Sequence, residues 1–183
     1  MKDPVVQVGD PVLHHKAHPV PKDEIGSAKI KKLIKHMKAV LAKEEYGVAL
    51  AAPQVGESLR LFVIAGKVFK ADDADEKAPT PPDKVFINPK LMRLSKKTAE
   101  MSEGCLSVRN KYGTVIRHEK ASVSAVDESG KAFTYHGTGL VAHIFQHECD
   151  HLDGILYTDK AVKVEEDEDL KSARQKLKEA RGV

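Results

Sequence analysis

Apolar residues recur along the chain with two periods. Ile30, Leu33, Ile34, Met37 and Leu41 repeat at three and four, with lysines opposite, which predicts an amphipathic helix over 27–45. Shorter runs at 59–65, 85–89, 91–94, 114–116, 121–126 and 132–136 read as strands, and 5–20 as mostly extended chain. Leu61-Phe62-Val63-Ile64 is unbroken, as in a strand buried on both faces. Glu128-Ser129-Gly130 supplies a hairpin turn. A second helix starts at Gly137 or Thr138 and stops at Gly154. Its Leu140, Val141, Ile144, Phe145 and Leu152 fall on more than one face, so it is expected to be covered on several sides.

Three segments break these patterns. Residues 47–56 hold two glycines, three alanines and a proline, a poor helix and a poor strand; such a loop suits close approach of backbone to another object. Residues 70–83 are acidic and rich in alanine and proline, as in a mobile surface insertion. Residues 165–181 read as a charged C-terminal helix with Leu170 and Leu177 as its main apolar contacts. Strands before and between helices, without regular alternation, predict an α+β fold. Largely antiparallel β-sheets should surround the central helix, with an N-terminal and a C-terminal helix beside them. A chain of 183 residues suits one domain, 1–183.

Composition narrows the function classes. A net charge of +3 is too small to suggest a DNA partner, and no apolar run is long enough to span a bilayer. Met1-Lys2-Asp3-Pro4 is followed by no apolar run, so a secretory signal is not expected and the cytoplasm is the expected location. In that compartment Cys105 and Cys149 stay reduced and are available as ligands or nucleophiles.

The candidate chemistry centres on Gln146-His147-Glu148-Cys149-Asp150-His151. Four residues on a helix are just over one turn, so His147 and His151 project toward a single point, with Glu148 displaced to one side. Cys105, presented after a glycine in Glu103-Gly104-Cys105-Leu106-Ser107, completes three protein ligands and leaves an open position, as in a catalytic metal site. Cys149 lies roughly 200° round the helix from the histidines and is expected to pack in the core. Glu148 would take a proton from water and return it to a leaving nitrogen. The Gln54 amide and the Leu106 N–H are the donors available to an oxyanion.

Residues 47–54, 103–107 and 146–151 resemble, in order and spacing, the three motifs of the peptide deformylases, and the likeness extends over nearly the whole chain. The resemblance implies hydrolysis of the N-formyl group of the initiator methionine of nascent peptides, with release of formate. It implies one divalent metal ion on Cys105, His147 and His151, Fe(II) in vivo, with Zn, Ni or Co able to occupy the site in purified protein. Glu148 becomes the acid/base, and Gln54 and Leu106 polarise the formyl oxygen. Val48, Ala49, Glu103, Leu140, His143 and Ile144 fall near the methionine pocket and the peptide backbone. In some relatives a basic tail contacts the ribosome, which makes 165–181 a candidate for that contact beside the plainer reading of a solvated amphipathic helix. In a eukaryotic host the location would be an organelle.

The chain departs from the family pattern in three places. Ala49 replaces a usual glycine, Arg109 is out of register with a cleft arginine of some members, and the 70–83 loop is longer than in short forms. Asp150 is expected to pair with Arg117 behind the metal ligands. The competing readings are a zincin-type endoprotease, whose third ligand would have to lie in the thirty-two residues after His151, and a non-catalytic metal-binding member.

Overall fold

The structure is a computed structural model that describes residues 3–70, 75 and 78–167. Helix α1 (Ala28–Leu41) begins where the Ser27 hydroxyl accepts the Ile30 N–H and ends four residues short of the expected limit. Strands β1 (Ala49–Ala51), β2 (Leu61–Ile64), β3 (Lys84–Met92), β6 (Lys120–Val126) and β7 (Ala132–Thr138) form one antiparallel sheet in the order β1-β2-β3-β6-β7. Strands β4 (Thr98–Cys105), β5 (Val108–His118) and β8 (Lys163–Glu166) form a second, in the order β4-β5-β8, also antiparallel. Helix α2 is Gly139–Leu152. The α+β expectation, with antiparallel sheets around a central helix, holds.

The period of two explains the layering. In β2, Leu61 and Val63 face α1 and pack with Ile30, Ile34 and Met37. Phe62 and Ile64 face the other way, with Ala142, Phe145 and Leu152 of α2. Phe86 of β3 stacks on Phe62 at 4.7 Å and meets the edge of Phe145 at 5.4 Å. The five-stranded sheet thus lies between the two helices. The three-stranded sheet meets α2 on another side, where Arg117 of β5 reaches Asp150.

Four expectations change. The small-residue loop contains a real strand, β1, whose alanines let α2 come close, followed by a tight 3-10 turn, Ala52–Val55. The separate strands expected at 85–89 and 91–94 are one, β3, kinked by a bulge at Asn88. Asn88 has φ 50, and its side-chain amide exchanges two 2.8 Å hydrogen bonds with the Val20 backbone, which fastens the extended N-terminal segment to the sheet. Strand β5 starts at Val108, not Thr114, because the Leu106-Ser107 turn folds it straight back on β4. Residues 165–166 belong to β8 rather than to a helix, paired with Tyr112 and Lys111. The rest of the expected C-terminal helix, from 168, lies outside the described residues, as do 71–74 and 76–77 of the 70–83 insertion.

The end of α2 sets the height of His151. Gly154 (φ 75) lets the Ile155 N–H reach Asp150 O at 2.9 Å and the Gly154 N–H reach His151 O at 3.2 Å, a Schellman closure. Arg60 caps the same end, donating to Leu152 O at 3.1 Å and Asp153 at 2.7 Å. A methyl on Gly154 would stand 2.8 Å from the His14 carbonyl. Gly154→Ala is therefore expected to lower unfolding free energy by about 1–3 kcal/mol. An unchanged denaturation midpoint would contradict this account of the helix end.

Candidate metal centre

Cys105 ends β4, and His147 and His151 lie one turn apart on α2. The sheet and helix bring their ligand atoms within 4.8 Å of one another, with Cys105 Sγ 3.2 Å from His151 Nε2. This is the convergence expected from the sequence. A thiolate and two imidazoles are a donor set that divalent zinc, iron, cobalt or nickel accepts, and the three form a site for a single metal ion. Burial pushes the Cys105 thiol up, but the neighbouring His151 and His147 outweigh it and hold it well below its ordinary range.

Behind the ligands sits Glu103, a buried carboxylate. Its two oxygens accept from Arg117 Nε at 2.6 Å and Nη2 at 3.1 Å, from His143 Nε2 at 2.6 Å and from His147 Nδ1 at 2.7 Å. Four donors saturate a carboxylate. Burial raises its pKa, but the hydrogen bonds from His143, His147 and Arg117 prevail and hold it far below the usual carboxylate range. Burial pushes His147 down, but its hydrogen bonds with Cys105 and Glu103 prevail and hold it well above its ordinary value; with Nδ1 tied to Glu103, Nε2 is the nitrogen that would hold a metal ion. Arg117 also donates to Asp150 Oδ2 at 2.6 Å, the pairing expected from sequence, and Lys160 Nζ joins Asp150 at 2.6 Å.

Glu148 is buried between the two histidines in sequence. Burial pushes its carboxyl up to about 7, with His147 and His151 pulling the other way. Among the described residues its buried Oε2 has no hydrogen-bond partner. Gln54 rises from the 3-10 turn. Its Oε1 accepts the Ala51 N–H at 2.8 Å, which directs Nε2 to Ser107 Oγ at 3.2 Å and Cys105 Sγ at 3.5 Å. Leu106, next to Cys105, is fixed by Gln7, whose amide donates to Leu106 O at 3.0 Å.

The expected substrate residues do not form one group. Val48, Ala49 and Ile144 share the apolar cluster beneath α2, whereas Leu140 is half exposed at the start of the helix. Glu103 and His143 hydrogen-bond each other, so the Glu103 side chain has no acceptor left for a peptide. A cleft of about 320 Å³ beside His143 is lined by Ala99, Met101 and Gly139 together with the polar Arg117, Glu119 and Lys120, and does not reach the Cys105, His147 and His151 cluster. Arg109, out of register in the sequence, faces Asp3 and Glu44. Cys149 packs in the core, and burial pushes its thiol up to about 12. Sequence reasoning overlooked Gln7, Lys160 and Ser107. Only Ser107 carried a signal, its place in the Cys105 motif.

Fold and site together define a class: an α+β protein with a mononuclear metal site built from a His-Glu-x-x-His helix and one strand-end cysteine. The polypeptide deformylase family model matches residues 2–167, and the chain belongs to that family. It is 41% identical to the chloroplastic peptide deformylase 1A of Solanum lycopersicum over 85% of this chain, and spans 58% of that protein's length. To peptide deformylase 2 of Nostoc it is 41% identical, over 86% of this chain and 84% of the relative. A class I type b peptide deformylase from Acinetobacter baumannii bound to Met-Ala-Ser superposes with TM-score 0.75 and 33% identity, covering 86% of this chain and 96% of that one. The Synechococcus elongatus peptide deformylase in complex with actinonin gives 0.73 and 32%, over 96% and 87%. Among the described residues no helix is long and apolar enough to cross a membrane.

Glu103→Gln keeps the shape of the anchor but removes its charge and half its acceptors. Metal affinity is expected to fall about 10–100-fold, measured by chelator competition. Unchanged affinity would separate Glu103 from the metal. Ala49 points its methyl into the core with Ala142 and Ile144. Ala49→Gly should therefore leave turnover of a formyl-Met peptide within about twofold while costing about 1 kcal/mol of stability. A large gain in turnover would show that the methyl narrows the site.

Proposed function

We propose that the chain hydrolyses the N-formyl group of N-formylmethionyl peptides, releasing formate, as one catalytic domain. The observation that carries this reading is Glu148, a buried carboxyl with a free oxygen, one residue after ligand His147 and with its pKa pushed to about 7. A general base is best placed when its pKa lies near the operating pH. A divalent ion held by Cys105, His147 and His151 would supply Lewis-acid polarisation and lower the pKa of water. Glu148 accepts the proton of the attacking water and passes it to the methionine nitrogen as the amide breaks. Gln54 Nε2 and the Leu106 N–H donate to the oxygen on which charge develops. Gln54 Nε2 now donates to Ser107 Oγ and Cys105 Sγ, and the substrate oxygen would take the place of one of these.

Peptide binding follows from the sheet. Val48 O accepts the Ala65 N–H at 2.9 Å, so the Val48 and Leu50 backbones face β2, while Ala49 and Ala51 turn their polar groups to the free edge. The Ala51 N–H meeting Gln54 on that side supports this parity. A peptide added along the edge would exchange hydrogen bonds with Ala49. Val48, Leu140, His143 and Ile144 are assigned to the methionine side chain and the peptide backbone, Val48 and Ile144 from the apolar cluster and Leu140 from the exposed start of α2. The Acinetobacter protein with Met-Ala-Ser supports an unformylated tripeptide as product. The cellular metal is assigned as Fe(II), with Zn, Ni or Co fitting the same donors in purified protein. The working compartment is assigned as the cytoplasm, or an organelle in a eukaryote.

Metal-loaded protein is expected to release formate from formyl-Met-Ala-Ser with no cleavage of an internal peptide bond. Glu148→Ala should keep one equivalent of metal and lose about 10²–10⁴-fold in turnover. Internal cleavage would favour an endoprotease. Full turnover by Glu148→Ala would remove its acid/base role.

A further inference from the structure

A separate set of contacts ties the N-terminal segment and the chain entering β1 to the turn that follows Cys105. The N-terminal strap crosses both oxyanion-donor segments: the Val6 N–H donates to Gln54 O at 2.8 Å and the Val8 N–H to Ser107 O at 2.8 Å. Asp3 begins the strap and accepts the Val5 N–H at 3.0 Å. Arg109, four residues beyond Cys105, then grips two carboxylates at once. Its Nε and Nη2 each stand 3.0 Å from Asp3 oxygens, and its Nη1 and Nη2 stand 2.9 and 2.8 Å from Glu44 oxygens. Glu44 opens the turn that leads into β1, where the Gly47 N–H donates to Glu44 O at 2.9 Å. One guanidinium therefore joins the chain leading into the free edge of β1 to the chain leaving the metal-ligand turn.

We propose that Arg109 is a positioning residue. With Glu44 and Asp3 it holds the chain entering β1 against the chain leaving the Cys105-Leu106-Ser107 turn, and so sets the spacing between that turn and the β1 edge assigned to the peptide. The inference rests on the deformylase reading above. Exposed ion pairs usually hold little, but here the Arg109 and Glu44 side chains are only 16% and 17% exposed, and the guanidinium fork is bidentate on both partners. Removing the cation takes away both bidentate pairs at once, and with them the link between Glu44 and the chain after Cys105. Neither Glu148 nor the metal ligands take part, so the effect falls on peptide binding before it falls on chemistry.

The test uses the full-length, metal-loaded protein and the variants Arg109→Met, Arg109→Lys and Glu44→Gln. For formyl-Met-Ala-Ser, Arg109→Met is expected to lose about tenfold in kcat/KM, chiefly through KM, because a small misplacement of a positioned group is costly. Metal content should stay at one equivalent, and Arg109→Lys should recover part of the loss. Glu44→Gln should fall in the same direction by less. Amide hydrogen exchange over 44–51 should quicken in Arg109→Met while that of α2 does not. The clamp is overturned if 44–51 exchanges at the wild-type rate, if kcat/KM stays within about twofold of wild type, or if the loss follows metal content or general unfolding. Should the wild-type protein release no formate, the proposed activity fails instead, and the exchange over 44–51 alone decides the clamp.

Discussion

A single buried carboxylate organises this molecule. Glu103 joins β4 to β5 through Arg117 and both to α2 through His143 and His147, and Arg117 extends the chain of charge to Asp150 and Lys160. Burying such ions is expensive, and deleting one member strands the others without a partner, at about 3–5 kcal/mol in comparable buried pairs. The arrangement survives because every Glu103 lone pair is met by a donor. What the network yields is orientation: the His147 ring is fixed through Nδ1 on Glu103, and Nε2 is the nitrogen that would hold a metal ion.

Much of this was legible in the residues because it depends on period and spacing. The His147–His151 pair needs only helical geometry, and the unbroken Leu61–Ile64 run needed two buried faces, which α1 and α2 supply. Asp150 and Arg117 were paired correctly. The role of Glu103 was not legible. A glutamate two residues before a ligand cysteine on a strand says nothing about its partners, which come from β5 fourteen residues later and from α2 forty and forty-four residues later. The same limit hid Gln7 and Lys160, whose partners are set by tertiary contact alone. The start of the expected C-terminal helix changed for another reason: Lys163-Val164-Glu165-Glu166 has no period that separates a helix from an edge strand, and pairing with β5 decided for the strand.

The segment 47–56 shows why propensity misled locally. Alanine is a poor strand former, yet Ala49 and Ala51 occupy an edge strand because only small side chains let α2 approach that face. The same choice keeps the edge short. An open edge is a hazard for association, and here three residues, then a 3-10 turn, limit it to the length the site uses. Leu50, facing α1, anchors the strand to the opposite layer.

The strap formed by residues 3–8 carries a consequence for biosynthesis. Its partners, Gln54 and Ser107, lie far along the chain, and Cys105 meets His151 only after most of the polypeptide has been made. Contacts of such sequence separation incur loop-closure entropy before they stabilise anything, so they form late. A translating ribosome must have released the chain well past His151 before any cation can be captured. Until then Cys105 is an unliganded thiol open to oxidation, and the maturing protein depends on a reducing environment.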